Sequence, residues 1–184
     1  MDEKDRLIIS LLQKNGRMSF SKIAEKVGMT AMGVKKRVEK LLKGDVRIRA
    51  MVNVEKICLA ILTIEVESSD AINEILERFK NCPRILRFFV TTGGYNLFAI
   101  VFSEDYESLE SITIENCSLR SQRGIRRFEV YPVQEVHYEP YLDIRVVAEK
   151  RDSPPCGVSC VDCRRFFHKR CLGCPAIKLY RGVL

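Results

Sequence analysis

The chain has no tryptophan and only two histidines, His137 and His168, among its 184 residues. So few imidazoles leave little for general acid–base work, and neither sits in a recognisable catalytic setting. No apolar run is long enough to span a bilayer. The N-terminus, MDEKDRL, is charged and lacks the apolar core of a signal peptide. These absences argue against a membrane protein and against an enzyme, and they lead us to expect a cytoplasmic protein.

Charge is present in quantity and unevenly placed. The formal net charge is +7. Residues 1–50 carry thirteen Lys/Arg and six Asp/Glu, residues 51–149 carry ten and sixteen, and residues 150–184 carry eight and two. Two basic ends flank an acidic middle, and a polyanion such as double-stranded DNA is the natural partner for the ends.

The first fifty residues read as three helices. In residues 5–14, Leu7, Ile8, Leu11 and Leu12 share one face. Ser19 is placed to cap a second helix that buries Phe20, Ile23, Ala24 and Val27, and Gly28 closes it. A third helix over residues 30–43 starts at Thr30 and buries Val34, Val38 and Leu41. Gly44 is expected at its left-handed end. Its other face carries Lys35, Lys36, Lys40 and Lys43. Two helices joined by a short glycine-containing turn form a helix-turn-helix, whose second helix enters the major groove. The alternation Val46-Arg47-Ile48-Arg49, followed by Met51-Val52-Asn53, predicts a small wing.

The middle reads as βαββαβ: strand, amphipathic helix over residues 68–80, two strands joined at Gly93-Gly94, a second helix from Tyr106, and a last strand from Gly124. That order predicts a ferredoxin-like sheet. Cys58, Cys82 and Cys117 are scattered through it, fit no ligand spacing, and read as structural thiols.

Here the sequence resembles the Lrp/AsnC family of prokaryotic transcription regulators. The N-terminal match rests on Asp5, Leu11, Asn15-Gly16-Arg17, Ile23-Ala24, Val27-Gly28, Thr30, Val34, Arg37-Val38, Leu41, Gly44 and Val46. The middle is similar to the family's RAM domain, most clearly at Val90-Thr91-Thr92-Gly93-Gly94-Tyr95-Asn96-Leu97. The expected organisation is therefore α+β. A winged helix-turn-helix (residues 1–53) precedes a ligand-sensing and dimerising RAM-like domain (54–140), a linker (141–155) and a short metal-stabilised tail (156–184). For DNA contact we single out Ala31, Met32, Lys35 and Lys36 as readers, with Thr30, Arg37, Lys40 and Arg47 on the backbone. Gly33 departs from the family, which usually has a hydroxyl or larger residue there. The resemblance further implies a homodimer, with octamers as a larger form. It also implies a small-molecule effector, often an amino acid, bordered by Gly93, Gly94, Tyr95 and Asn96. The family usually has an acid on each side of the aromatic residue. Gly94 and Asn96 occupy those places here, which weakens the case for binding a ligand ammonium group.

The tail has the spacing C-x3-C-x2-C-x7-C-x2-C from Cys156 to Cys174. So short a segment needs a cross-link or metal to order it, and two C-x2-C pairs aim thiolates at one centre. The expected cofactor is zinc on Cys160, Cys163, Cys171 and Cys174, with Cys156 as an alternative ligand. An iron–sulfur cluster is the rival. It is suggested by Cys156-x3-Cys160-x2-Cys163 and by Cys174-Pro175. The expected function is a sequence-specific DNA-binding regulator modulated by metal or redox state. A siroheme-decarboxylase-like enzyme and a metal-handling adaptor on the same scaffold are the alternatives.

Overall fold

The computed structural model describes residues 1–184. It divides into two compact units, residues 1–50 and 51–184.

The first unit is three helices: α1 (Glu3–Lys14), α2 (Phe20–Val27) and α3 (Ala31–Leu41). Each start is fixed by a side chain that accepts an orphan backbone N–H. Asp2 and Asp5 form a reciprocal capping box on α1, so the helix begins before Asp5, earlier than its apolar face indicates. Ser19 caps α2 through the Lys22 N–H, and Thr30 caps α3 through the Gly33 N–H at 3.1 Å. Gly28 ends α2 in the left-handed conformation, φ 63°. A side chain would be strained there. The stripes Ile8, Ile23, Ala24, Val27, Val34 and Val38 then meet in one core.

Two expectations for this unit are corrected. α3 ends at Leu41 with Leu42 as its cap, and Gly44 is not left-handed. The Leu41 carbonyl instead accepts the N–H groups of Gly44, Asp45 and Val46. Residues 46–50 form no wing strand. An alternating run needs a second strand to pair with, and only Val52–Asn53 finds one, β6 (Tyr141–Leu142), within the second unit.

The second unit is built on β2 (Cys58–Val66), α4 (Ser69–Phe79), β3 (Ile85–Val90), β4 (Leu97–Ser103), α5 (Tyr106–Ile114) and β5 (Ile125–Pro132). The short β1 (Val52–Asn53) lies before them, and a 3-10 turn, Leu119–Ser121, precedes β5. The sheet is antiparallel with order β3-β4-β2-β5, the ferredoxin-like arrangement. Strand alternation sorts its side chains. Ala60, Leu62, Ile64, Val66, Leu97, Ala99 and Val101 join Ile72, Ile75, Phe79 and Leu109 in the main core. On the other face Phe89, Phe98, Thr63 and Glu129 fall in one cross-strand row, with Ile100, Ile61 and Tyr131 in the next. One end of that face is closed by a second cluster around Leu59, Phe102, Val54 and Ile144. Ile61, Phe89 and Tyr131 stay exposed.

Residues 141–155, expected as a linker, are held against the same unit. Ile144 is buried, Asp143 pairs with Arg87, and Arg151 exchanges backbone bonds with Ala176 and Lys178. Within residues 141–155 only Tyr141–Leu142 forms a strand, β6, because only β1 offers a partner. The last segment contains a single helical turn, α6 (Arg164–Phe167).

Candidate functional site

The N-terminal half of α3 presents a small exposed surface. With Val34, Val38 and Leu41 turned inward, Ala31, Met32, Lys35, Lys36 and Lys40 point to solvent. Met32 is 60% exposed and adds an apolar contact to the basic face. Lys35 makes a loose i,i+4 contact with Glu39 at 3.8 Å. Thr30 is occupied as the cap. Gly33 leaves room for that cap, since a Cβ there would stand 3.2 Å from Thr30 Oγ1.

Arg37 has a different job from the one its sequence position suggests. Its guanidinium donates to Asp2 at 2.6 Å and to Asp5 at 2.8 Å, bracing α3 against the start of α1. Reciprocal backbone N–H bonds, and then Arg37, hold both carboxyls below the usual range. Arg47 is exposed on the segment after α3.

The loop between β3 and β4 is residues 91–96. Thr91 closes it, its N–H bonding Asn96 O and its hydroxyl bonding Tyr95 O. Asn96 is bound to the β2 backbone, Oδ1 accepting the Val66 N–H and Nδ2 donating to Val66 O, both at 2.8 Å. An aspartate could do only the first. The Tyr95 hydroxyl donates to Glu129 on β5, and so does the Tyr131 hydroxyl. Tyr131, then Tyr95, lowers the Glu129 pKa, and Glu129 raises both phenols. A carboxylate therefore does stand beside this loop. It comes from a distant strand that loop reading does not connect to it. Gly93 and Gly94 are exposed at the tip.

The tail is docked on α5 and on Arg84. Buried Ser108 accepts the Leu172 N–H at 2.9 Å. Ser111 donates to Arg170 O and accepts from Arg165 Nε at 2.7 Å. Arg165 also pairs with Glu110. Arg84, 4% exposed, bonds Glu104 at 2.5 Å and Gly173 O at 2.8 Å. These contacts explain why α5 buries serines on a face where the sequence offers only Leu109 and Ile112.

Between tail and sheet domain lies a cavity of about 430 Å³. All five tail cysteines line it, and so do Cys82, after α4, and Cys117, after α5. The scattered cysteines of the middle domain are thus corrected in part. Cys82 and Cys117 face the tail, while Cys58 packs beside the sheet core. All eight are free thiols. No three His, Cys, Asp or Glu side chains form a group that could hold a single metal ion, so the expected set of Cys160, Cys163, Cys171 and Cys174 is not preassembled. Burial, reinforced by neighbouring thiols, pushes Cys82 up to about 12 and Cys160 up to about 11, and raises Cys117 and Cys174. Backbone N–H groups oppose this at three sulfurs: Arg84 at Cys82, Cys174 at Cys160 and Ala176 at Cys174. His168 does not line the cavity. No helix is long and apolar enough to cross a membrane.

Comparison with known proteins agrees with this geometry. Residues 1–42 match the AsnC-type helix-turn-helix domain, and residues 59–142 match the Lrp/AsnC ligand binding domain. The regulator LrpA of Pyrococcus horikoshii is 28% identical over 116 residues, 61% of this chain and 82% of its own. LysM of Sulfurisphaera tokodaii is 28% identical over 127 residues, 68% and 89% of the two chains. Among solved structures, E. coli AsnC aligns with a TM-score of 0.64 at 20% identity, covering 76% of this chain and 95% of that one. A Neisseria meningitidis regulator in complex with L-Met aligns at 0.66 and 21%, covering 76% and 94%. These last two show the shared fold. Both domain matches end before the cysteine-rich segment. Matched over both domains and over more than half of its length, the chain belongs to the Lrp/AsnC family of transcription regulators.

Proposed function

We propose that this regulator acts in the cytoplasm and binds double-stranded DNA as a homodimer, with α3 docked in the major groove. The observation that carries the reading is the face of α3 itself: three lysines and an exposed Met32 stand on the side opposite Val34, Val38 and Leu41. Ala31, Met32, Lys35 and Lys36 read base edges, and Lys40 and Arg47 hold phosphates. Thr30 fixes the start of α3, and Arg37 sets its angle rather than touching DNA.

The dimer forms through the exposed sheet face that carries Ile61, Phe89 and Tyr131, and larger assemblies up to octamers build on it. A two-fold protein places two helices on successive turns of a palindrome, which gives specificity that one helix lacks. A small amino acid is the proposed effector at Gly93, Gly94, Tyr95 and Asn96. Glu129 supplies the carboxylate that the loop does not. The cysteine-rich tail is the metal-binding part, for zinc or an iron–sulfur centre, and conveys metal or redox state to the regulator.

The test is a gel shift against the protein's own promoter and a scrambled duplex, titrated with salt. The expected result is a sequence preference above a salt-steep background. Equal binding to both duplexes at every salt concentration overturns the specific-regulator reading.

A further inference from the structure

The cavity joins the sheet domain, which the family match covers, to a tail that it does not reach. Its wall is unusual in chemistry. Seven thiols face one space of about 430 Å³, brought there from three separate places in the chain. The tail gives five. Cys82 comes from the turn between α4 and β3, and Cys117 from the turn after α5.

We propose that this cavity holds a polynuclear iron–sulfur cluster whose thiolate ligands include Cys82 or Cys117 together with tail cysteines. The inference rests on reading the tail as a metal-binding segment and goes beyond it, because it makes the site a joint between two parts of the chain.

Three observations carry it. The first is size and count. A single tetrahedral zinc uses four sulfurs that stand only about 3.8 Å apart, given a zinc–sulfur bond of about 2.3 Å. Seven thiols around so large a space suit a centre with several metal atoms, because a cube of iron and sulfide holds its cysteines farther apart. The second is the backbone around the sulfurs. The Gly173 N–H points at Cys171 Sγ at 3.4 Å. Gly173 reaches that geometry at φ 89°, and a Cβ would stand 2.8 Å from the Phe166 ring. Such a donor stabilises thiolate and sulfide charge and tunes cluster potentials. The third is Arg84. Its side chain lines the cavity, is 4% exposed, and has its Nε without a hydrogen-bond partner. A buried N–H left unpaired is costly. Sulfur in the same cavity is the kind of acceptor it lacks, while its other nitrogens hold Glu104 and Gly173.

Ligation needs no redox step. Each ligating thiol gives its proton to solvent and its sulfur to iron. The cluster then ties the tail to the ends of α4 and α5.

The full chain, purified without oxygen and reconstituted with equal amounts of ferrous and ferric iron and with sulfide, tests this by iron, zinc and acid-labile sulfide content and by its visible spectrum. The expected result is a brown protein with about four iron and four sulfide per chain. The double variant Cys82→Ser/Cys117→Ser is expected to lose at least half of both, and Cys58→Ser to keep both. If the double variant does not fold by circular dichroism, the single variants are read instead, and at least one must lose iron. Wild-type iron and sulfide in those variants overturns the joint site but leaves a metal-binding tail. A colourless protein with one zinc overturns the cluster and again leaves the metal reading. No metal in the wild type, with Cys171→Ser/Cys174→Ser behaving identically, overturns both.

Discussion

Arg37 on α3 bonds Asp5 on α1 at 2.8 Å, so the helix that presents Met32 and the lysines is braced by the first turn of the chain. Asp2 accepts a second bond from the same guanidinium. The brace decides how α3 is aimed, and it depends on ionised carboxylates.

It therefore has a pH signature. The Asp5 carboxyl is held below the usual carboxylate range by the Asp2 N–H and then by Arg37. A lowered folded pKa means the stabilisation is fully present above the ordinary value of about 3.9 and fades as pH falls through the lowered value. Asp5→Asn keeps the shape and removes the charge. It is expected to lower the Tm at neutral pH and to converge on the wild type at an acid pH below the lowered value, where Asp5 is protonated in both states. An equal deficit at both pH values would show that the charge is irrelevant.

DNA binding separates into two measurable parts. Lys40→Ala is expected to weaken binding on every duplex and to reduce the slope of log affinity against log salt by about 1. Met32→Ala is expected to leave the slope unchanged and to reduce the preference for the operator over a scrambled duplex. If Lys40→Ala changes preference and not slope, the lysine reads a base and the assignment to phosphate is wrong.

Much of this was legible in the residues. The three helices of the first unit announce themselves through caps at Ser19 and Thr30 and through stripes at helical spacing. The βαββαβ order follows from runs whose period and turns are local. What was not legible is what the fold brings together across the chain. Cys82 and Cys117 carry no ligand spacing because the cysteines that share their cavity lie in the tail. Glu129 stands beside Tyr95 only through the register of β5 on β2 and of β2 on β4. The wing failed for the opposite reason: Val46–Arg49 has the alternation of a strand but no neighbouring strand to pair with. Local pattern proposes an element, and a partner decides whether it forms.

The loop offers a direct check on why Asn96 replaces an acid. Both bonds to Val66 require an amide, one group accepting and one donating. Asn96→Asp turns the donor into a second acceptor facing the Val66 carbonyl. The expected cost is about 2 kcal/mol, as for a part-buried acceptor left unpaired, read from the urea midpoint. A change within about 0.5 kcal/mol would mean that the loop holds its shape without Asn96.

Arg84 joins the sheet domain to the tail. It is 4% exposed and Glu104 is 12% exposed, so the ion pair at 2.5 Å lies largely out of water. Two charges in such a place attract strongly, but their desolvation cancels much of that, and the pair adds little net stability. Removing one member is another matter, because the other is left buried and alone. Arg84→Ala is therefore expected to destabilise the chain by about 3 kcal/mol, whereas Arg84→Ala with Glu104→Ala costs less than the single change. The tail should also loosen, since Arg84 holds the Gly173 carbonyl at 2.8 Å. Limited proteolysis after Arg164 and Arg165 reads that effect separately. In the double variant stability recovers, but cleavage stays fast, because no Arg84 nitrogen remains for Gly173. Recovery of both together would place the role of Arg84 in the ion pair alone and remove it as the tether of the tail.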